Sequence, residues 1–258
     1  MDRTYFGLDK HGFSLRATGL RPGLADRYAG AMHSTRDSNT ALVIFCRRPA
    51  IGTGKQRLAH QIGAAAAVEI ATLLLATTLE DASSWPGPVI LAPAECDNAD
   101  WAATLLDRPL RVITQAAGNL GERLQAVDRI TRTSHPGSVI FIGSDAPILG
   151  EANYRAARTA LLHDDVVLVP ALDGGVTLMG ARCAWPELAD LPWSSEHLYT
   201  ALKERCMSCG LSVSSLDISY DVDVVADLQR LCIDLRSDQR AARQTLYRRL
   251  CSLGYCDT

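Results

Sequence analysis

The side chains of this chain best suited to chemistry are carboxylates that follow apolar runs. In "VIFIGSDAPIL" (139–149) four residues built for burial lead through Gly143 and Ser144 to Asp145. A carboxylate at the end of a buried strand offers the hard oxygen donors that Mg²⁺ or Mn²⁺ requires beside phosphate. The same residue could cap a following helix, with Pro147 at home in its first turn, and both roles stay open. In "ISYDVDVVADL" Asp221 and Asp223 stand two apart, on one face if the backbone is extended. Carboxylates that close repel unless a cation or hydrogen bonds compensate. The pair is therefore a stronger metal candidate than a lone acid, and Asp227 reads as a helix start. In "VPALDGGVTLMGA" Asp173 precedes Gly174 and Gly175. It could orient a hydroxyl or act as a base, or simply belong to an Asp-Gly hairpin turn.

Cations and glycines supply the complementary chemistry. "CRRPAIGTGKQRLA" places Pro49, Gly52 and Gly54 in a loop, with Lys55 and Arg57 where a helix begins. Free amides at a helix start and two cations suit a di- or triphosphate. The loop is not a P-loop, because one residue separates Gly52 from Gly54 and Gln56 follows the lysine; a glycine turn with solvated Lys and Arg explains it equally well. "QAAGNLGERLQAV" opens on Gln115 and brings Gly118 and Gly121, which permit a tight path under a ligand, while Asn119 caps a helix. "LPWSSEHLY" offers Trp193 as a lining surface ahead of Ser194 and Ser195, which cap a helix containing Glu196 and His197.

These residues need a scaffold, and the pattern predicts one. "ALVIFC", "PVILAP", "LRVIT", "SVIFIG" and "DVVLVPA" are runs suited to buried strands. Helical patterns over 55–79, 99–106, 119–131 and 151–162 alternate with them, which predicts an α/β domain with a mostly parallel sheet. Ligands of such a sheet sit beyond the carboxyl ends of its strands. Residues 1–38 are polar, rich in Gly and Arg and aperiodic, and read as an amino-terminal extension of uncertain order. Residues 39–233 form the expected domain, and 234–258 a helical segment packed on it.

Composition narrows the function classes. The chain has 258 residues, 47% hydrophobic, with a net charge of −3 and no long basic block, so neither nucleic acid nor a membrane is expected as a partner. The longest apolar run is interrupted by Glu69 and reads as a packed helix. The start lacks a secretory apolar core, which points to the cytoplasm and free thiols for the eight cysteines. Cys206 and Cys209 in "CMSC" could form half a zinc site with Cys251 and Cys256, against ordinary thiols near a helix end. The amphipathic carboxyl end and the extension are candidate surfaces for a homodimer.

Taken in order, "IFCRRPAIGTGKQRL", "QAAGNLGERL", "GSDAPIL", "VPALDGGVTLMG", "PWSSEHLY" and "DVDVVADL" resemble the glycosyltransferase-A-like family that includes the arsenosugar-biosynthesis glycosyltransferases and the radical-SAM/selenodomain-associated transferases. The resemblance spans roughly 41–231. It implies the nucleotide-diphospho-sugar transferase fold, a three-layer α/β/α arrangement with a mostly parallel, Rossmann-like sheet. That family is similar in turn to nucleotidyltransferases that make guanylylated phospholactate and cytidylylated molybdopterin.

The resemblance implies a metal-dependent transferase: a nucleotide-sugar glycosyltransferase with a small-molecule acceptor, or a nucleotidyltransferase joining a nucleoside triphosphate to a phosphorylated small molecule. It implies that Lys55 and Arg57 meet the nucleotide phosphates, that Asp145 holds Mg²⁺ or Mn²⁺, and that Asp221 or Asp223 makes a second metal contact or a ribose contact. It puts Asp173, Gly174, Gly175 and Trp193 on the acceptor side. The chain departs from the pattern at Arg47 or Arg48 for a lysine, Gln56 and Val224 for threonines, and Val176 for a tyrosine. The two valines support a third reading, a nucleotide-binding module whose chemistry is lost.

Overall fold

The apolar runs become strands of one sheet. The computed structural model describes residues 39–256, so the expectations for residues 1–38 lie outside the described residues. The strands are β1 (Ala41–Cys46), β2 (Val89–Pro93), β3 (Arg111–Val112), β4 (Val139–Ile142), β5 (Val166–Pro170), β6 (Val176–Ala181) and β7 (Val213–Ser215). Their order is β3-β2-β1-β4-β6-β5-β7. All ladders are parallel except those of β6, which runs antiparallel to both β4 and β5. The expected α/β class and mostly parallel sheet are borne out. The turn at Asp173 closes a hairpin between β5 and β6, and β6 is a strand that the apolar runs did not announce.

Eight α-helices accompany the sheet among the described residues: α1 (Gln56–Ile62), α2 (Ala64–Ser83), α3 (Ala99–Ala103), α4 (Leu120–Arg132), α5 (Glu151–Ala160), α6 (Leu198–Ser208), α7 (Val225–Leu235) and α8 (Ala241–Ser252). The single helix expected over 55–79 is broken at Gly63, whose φ of 87° lies in the left-handed region that glycine adopts at no steric cost. The strand-like run before Asp221 is not a strand; it makes one isolated bridge, Ser219 with Ala171. Asn119 caps α4 as expected, its side chain accepting from the Glu122 amide while Glu122 accepts from the Asn119 amide.

Strand alternation divides the core into layers. Val43, Phe141, Leu168 and Met179 point to one face and pack with Leu124 and Val127 of α4 and Leu202 of α6. Ile44, Leu91, Ile142 and Leu178 point to the other and pack with Leu75 of α2 and Ala157 of α5. A third cluster joins Leu58, Ile70 and Leu74 to Leu228, Leu231, Leu246 and Leu250, so α7 and α8 lie over α1 and α2.

One buried cation ties this outer layer to the sheet. Arg243 of α8, 1% exposed, donates to the carbonyls of Thr77, Pro147 and Leu149 and to the carboxylates of Glu80 and Asp81 at 3.1 and 2.7 Å. Asp81 also accepts from Arg240 and the Tyr154 hydroxyl. Burial pulls the Asp81 carboxyl above its usual range, and Arg243 opposes that rise.

Cys232 and Cys256 form a disulfide, so these two are not the free thiols expected. It fastens the last described residues to α7, and Cys256 is not shared with Cys206, which is buried in α6.

Replacing Arg243 by methionine leaves the half-buried Glu80 without its cation and Asp81 with Arg240 alone. The expected loss is about 3 kcal/mol, read as a lower denaturant midpoint, with Arg243→Lys losing less because the charge remains.

Candidate functional site

The sheet order reverses between β1 and β4. From β1 the chain proceeds outward through β2 and β3, then returns to the opposite side of β1. The loops that leave these two strands diverge and open a crevice, the usual ligand position in such sheets.

After β1, residues 47–55 loop over the crevice and deliver Lys55 in a left-handed conformation, φ 44°. Its ammonium donates to Asp145 Oδ2 and Asp223 Oδ1, both at 2.8 Å. Burial pulls the Lys55 pKa down, but the two carboxylates outweigh it and push the value up, so the cation is held. After β4, Gly143 makes room for the acid: a Cβ there would sit 2.6 Å from Asp145 Oδ1. The Asp145 carbonyl accepts the Val222 amide at 2.9 Å and so pins the segment bearing Asp221 and Asp223. Asp227 accepts the amides of Asp223 and Val224, fixing that segment from the start of α7.

Asp145, Asp221 and Asp223 each present a carboxylate oxygen within 4.8 Å of the others. Asp221 has its pKa raised to about 7 by burial first, then by Asp145 and Asp223, with Lys55 opposing and Asp173 adding to the rise. A cluster of oxygen donors that carries more negative charge than its one ammonium offsets suits a hard divalent cation.

Two cavities meet at Asp145. The larger, about 460 Å³, is lined by Arg47, Arg48, Lys55, Gln115, Arg123 and Ser144, with Pro49, Gly54 and Asp223 at its wall. Gln115 Nε2 is fixed by the Ala92 carbonyl, and its Oε1 accepts from Arg123. Cys46 also borders this cavity, but burial pushes its thiol up to about 12, far from a thiolate nucleophile. The second cavity, about 260 Å³, is lined by Phe45, Phe141, Val176, Met179 and Trp193, with Asp145 and Asp221 at one end.

The remaining residues singled out in the sequence lie elsewhere. Arg57 is exposed on α1 and lines neither cavity, and Gly52 borders a smaller hollow beside α1. Gly118 and Gly121 serve packing: a Cβ on Gly121 would meet the Leu188 carbonyl at 2.2 Å. Gly174, φ 85°, lies against the Glu196 backbone. Asp173 is exposed and accepts the Gly175 amide, three residues from Val176. In the sequence Arg123 is an ordinary cation of a helical run; it reaches the site because α4 packs beside β1 and β4, which no local spacing reveals.

Residues 76–195 match the family described as "Uncharacterized protein conserved in bacteria (DUF2064)". Among solved structures the chain is similar to a "putative nucleotide-diphospho-sugar transferase" from Desulfovibrio desulfuricans G20, with 22% identity, a TM-score of 0.76, and coverage of 86% of this chain and 100% of that one. The chain has the fold of that transferase. It is also similar, at 17% identity and a TM-score of 0.50, to a Mycobacterium tuberculosis Rv0371c homolog from Mycobacterium sp. strain JC1, over 77% of this chain and 98% of that one. Similarity to the bifunctional IspDF from Campylobacter jejuni, 11% identical with a TM-score of 0.50, covers 75% of this chain and 54% of that one. No curated protein matches the sequence. No helix among the described residues is long and apolar enough to cross a membrane.

The Asp221 environment has a consequence for stability. The unfolded carboxyl ionises near its ordinary value and the folded one near 7. The folded state therefore holds the proton more tightly, and stability falls as pH rises through that window. Asp221→Asn removes the penalty. Its stability relative to the unmodified protein is expected to rise by about 1–2 kcal/mol between about pH 5 and about pH 8, after allowance for solvent screening, as measured by urea denaturation at both values.

Proposed function

We propose that the protein is a metal-dependent glycosyltransferase that moves a sugar from a nucleotide diphosphate to a small-molecule acceptor. The observation that carries this reading is the junction at Asp145, where a cavity lined by four cations meets a cluster of three carboxylates. A diphosphate needs the first and a divalent cation the second. Lys55 belongs to both, since it lines the cavity and bonds to two of the carboxylates.

In this reading Arg47, Arg48, Lys55 and Arg123 receive the donor diphosphate, and Gln115 and Ser144 supply polar contacts beside it. Arg57, carried by the resemblance, adds charge at the outer edge of α1. A Mg²⁺ or Mn²⁺ ion held by Asp145, Asp221 and Asp223 would supply further positive charge to the phosphate oxygens. The acceptor hydroxyl oxygen bonds to the anomeric carbon as the bond from that carbon to the diphosphate oxygen breaks. The electron pair leaves with the diphosphate, whose charge the arginines and Lys55 take up, and the hydroxyl proton would pass to Asp173, which lines neither cavity but lies near enough to Asp221 to raise its pKa. Gly174 and Gly175 give that turn its path, and Trp193 walls the acceptor side.

The cation density around Lys55 supports a second reading, nucleotidyl transfer, in which an acceptor phosphate attacks the α-phosphate of a triphosphate and pyrophosphate leaves. A thermal-shift panel of nucleotide sugars and nucleoside triphosphates, with and without Mn²⁺ or Mg²⁺, separates the two. Metal-dependent stabilisation by a nucleotide sugar is expected. Preference for a triphosphate would favour nucleotidyl transfer, binding without turnover would favour a module that has lost its chemistry, and no response to any nucleotide would overturn all three. Asp145→Ala is expected to keep the fold and lose the metal-dependent part of the shift. Lys55→Met should weaken nucleotide binding about tenfold, ~1.4 kcal/mol.

A further inference from the structure

The two cavities that meet at Asp145 differ in chemistry. Among the described residues four cations line the larger one, whereas no lysine, arginine or histidine lines the smaller. The walls of the smaller cavity are mostly apolar. Phe45 and Phe141 pack edge to face with ring centroids 6.0 Å apart, Val176 and Met179 come from β6, and Leu120 and Leu124 from α4. Trp193 adds only ring surface, because its Nε1 already donates to the Leu188 carbonyl at 2.7 Å. The buried Thr177 is held toward the Val169 carbonyl. The charged groups of this cavity are Asp145 and Asp221, both at the end it shares with the cationic side.

We infer that the second substrate is a neutral molecule whose apolar body, aromatic or branched aliphatic, fills this cavity and whose hydroxyl lies at the Asp145 and Asp221 end. The inference rests on the reading of the larger cavity as the donor's. It adds the acceptor's class and excludes one kind of acceptor. A phosphate seated among these apolar walls would lose its water with no cation in them to replace it, because Lys55 and any ion on Asp145, Asp221 and Asp223 stand at the end shared with the donor diphosphate. The volume, about 260 Å³, matches a fused-ring or substituted-ring alcohol, and apolar walls with a few polar groups at one end are the usual composition of small-molecule sites. Val176 sets the size of the cavity, being only half-buried at the start of β6.

A matched pair of probes tests this: 2-naphthylmethanol and its phosphate ester, each titrated by NMR into protein carrying labelled methionine methyls and tryptophan indoles. The neutral probe is expected to shift the Met179 and Trp193 signals, and the phosphate ester to bind there at least tenfold more weakly. Val176→Phe should reduce binding of the neutral probe at least tenfold while leaving the far-ultraviolet circular dichroism and the nucleotide thermal shift unchanged. Met179→Ala, which enlarges the cavity, guards against a variant that fails to fold and should retain the neutral probe. Equal or tighter binding of the ester, or neutral-probe binding indifferent to Val176→Phe, overturns the inference. Because the probes are titrated without nucleotide, a protein that ignores nucleotides but takes the neutral probe would refute the proposed donor and leave the apolar site standing.

Discussion

The Arg243 guanidinium is surrounded by five protein acceptors drawn from two distant parts of the chain, and none of its charge reaches solvent. Two of those acceptors, the carbonyls of Pro147 and Leu149, belong to the turn that follows Asp145. Two others are carboxylates in the last turns of α2. A group this polar is tolerable in a core only when every donor is satisfied, so α8, α2 and the turn after β4 can meet in few arrangements. The outer layer of α7 and α8 then does more than cover apolar surface. It holds from behind the loop that presents an acid to the crevice, and α7 holds the other two acids through Asp227.

The site itself is assembled from chain ends that the sheet brings together. β1 and β4 are neighbours separated by almost a hundred residues of sequence, and their loops part because the chain leaves β1 toward β2 and leaves β4 toward the opposite side of the sheet. Opposed charges meet in that gap. The cationic loop and Arg123 lie on the β1 side, the acids close the centre, and the hydrophobic wall of β6 and α4 follows. The antiparallel turn of β6 matters here, because it sets Val176 and Met179 beside Phe141 rather than at the far edge of the sheet.

Much of this scaffold was legible in the residues. "ALVIFC" marked β1 to its limits, and "PVILAP", "SVIFIG" and "DVVLVPA" marked three more strands to within a residue or two, because strands buried on both faces are apolar throughout. The carboxylates that the fold gathers had been picked out by their position after those runs. Other features had no local signal. β6 follows a two-glycine turn with only weak apolar continuity, and β7 is three residues with two serines, a strand by pairing rather than composition. Cys232 and Cys256, 24 residues apart, obey no spacing rule. Phe45 closes a run read as buried, yet its ring edges a cavity, and Arg123 looked like any solvated helical cation. Both acquire their role from elements distant in sequence.

Lys55 gives the acidic cluster an occupant of its own. A cluster of carboxylates without a counterion would push its two loops apart, and the crevice would take shape only when an ion arrived. With the ammonium bridging Asp145 and Asp223, the crevice is formed beforehand. Any divalent cation that enters must compete with a tethered one, so its gain is the difference between two cations rather than the full attraction of the acids. If the site takes a metal as proposed, it would work as an ion exchanger, discriminating against a bare ion and favouring one that arrives with phosphate oxygens, to which the displaced lysine can turn.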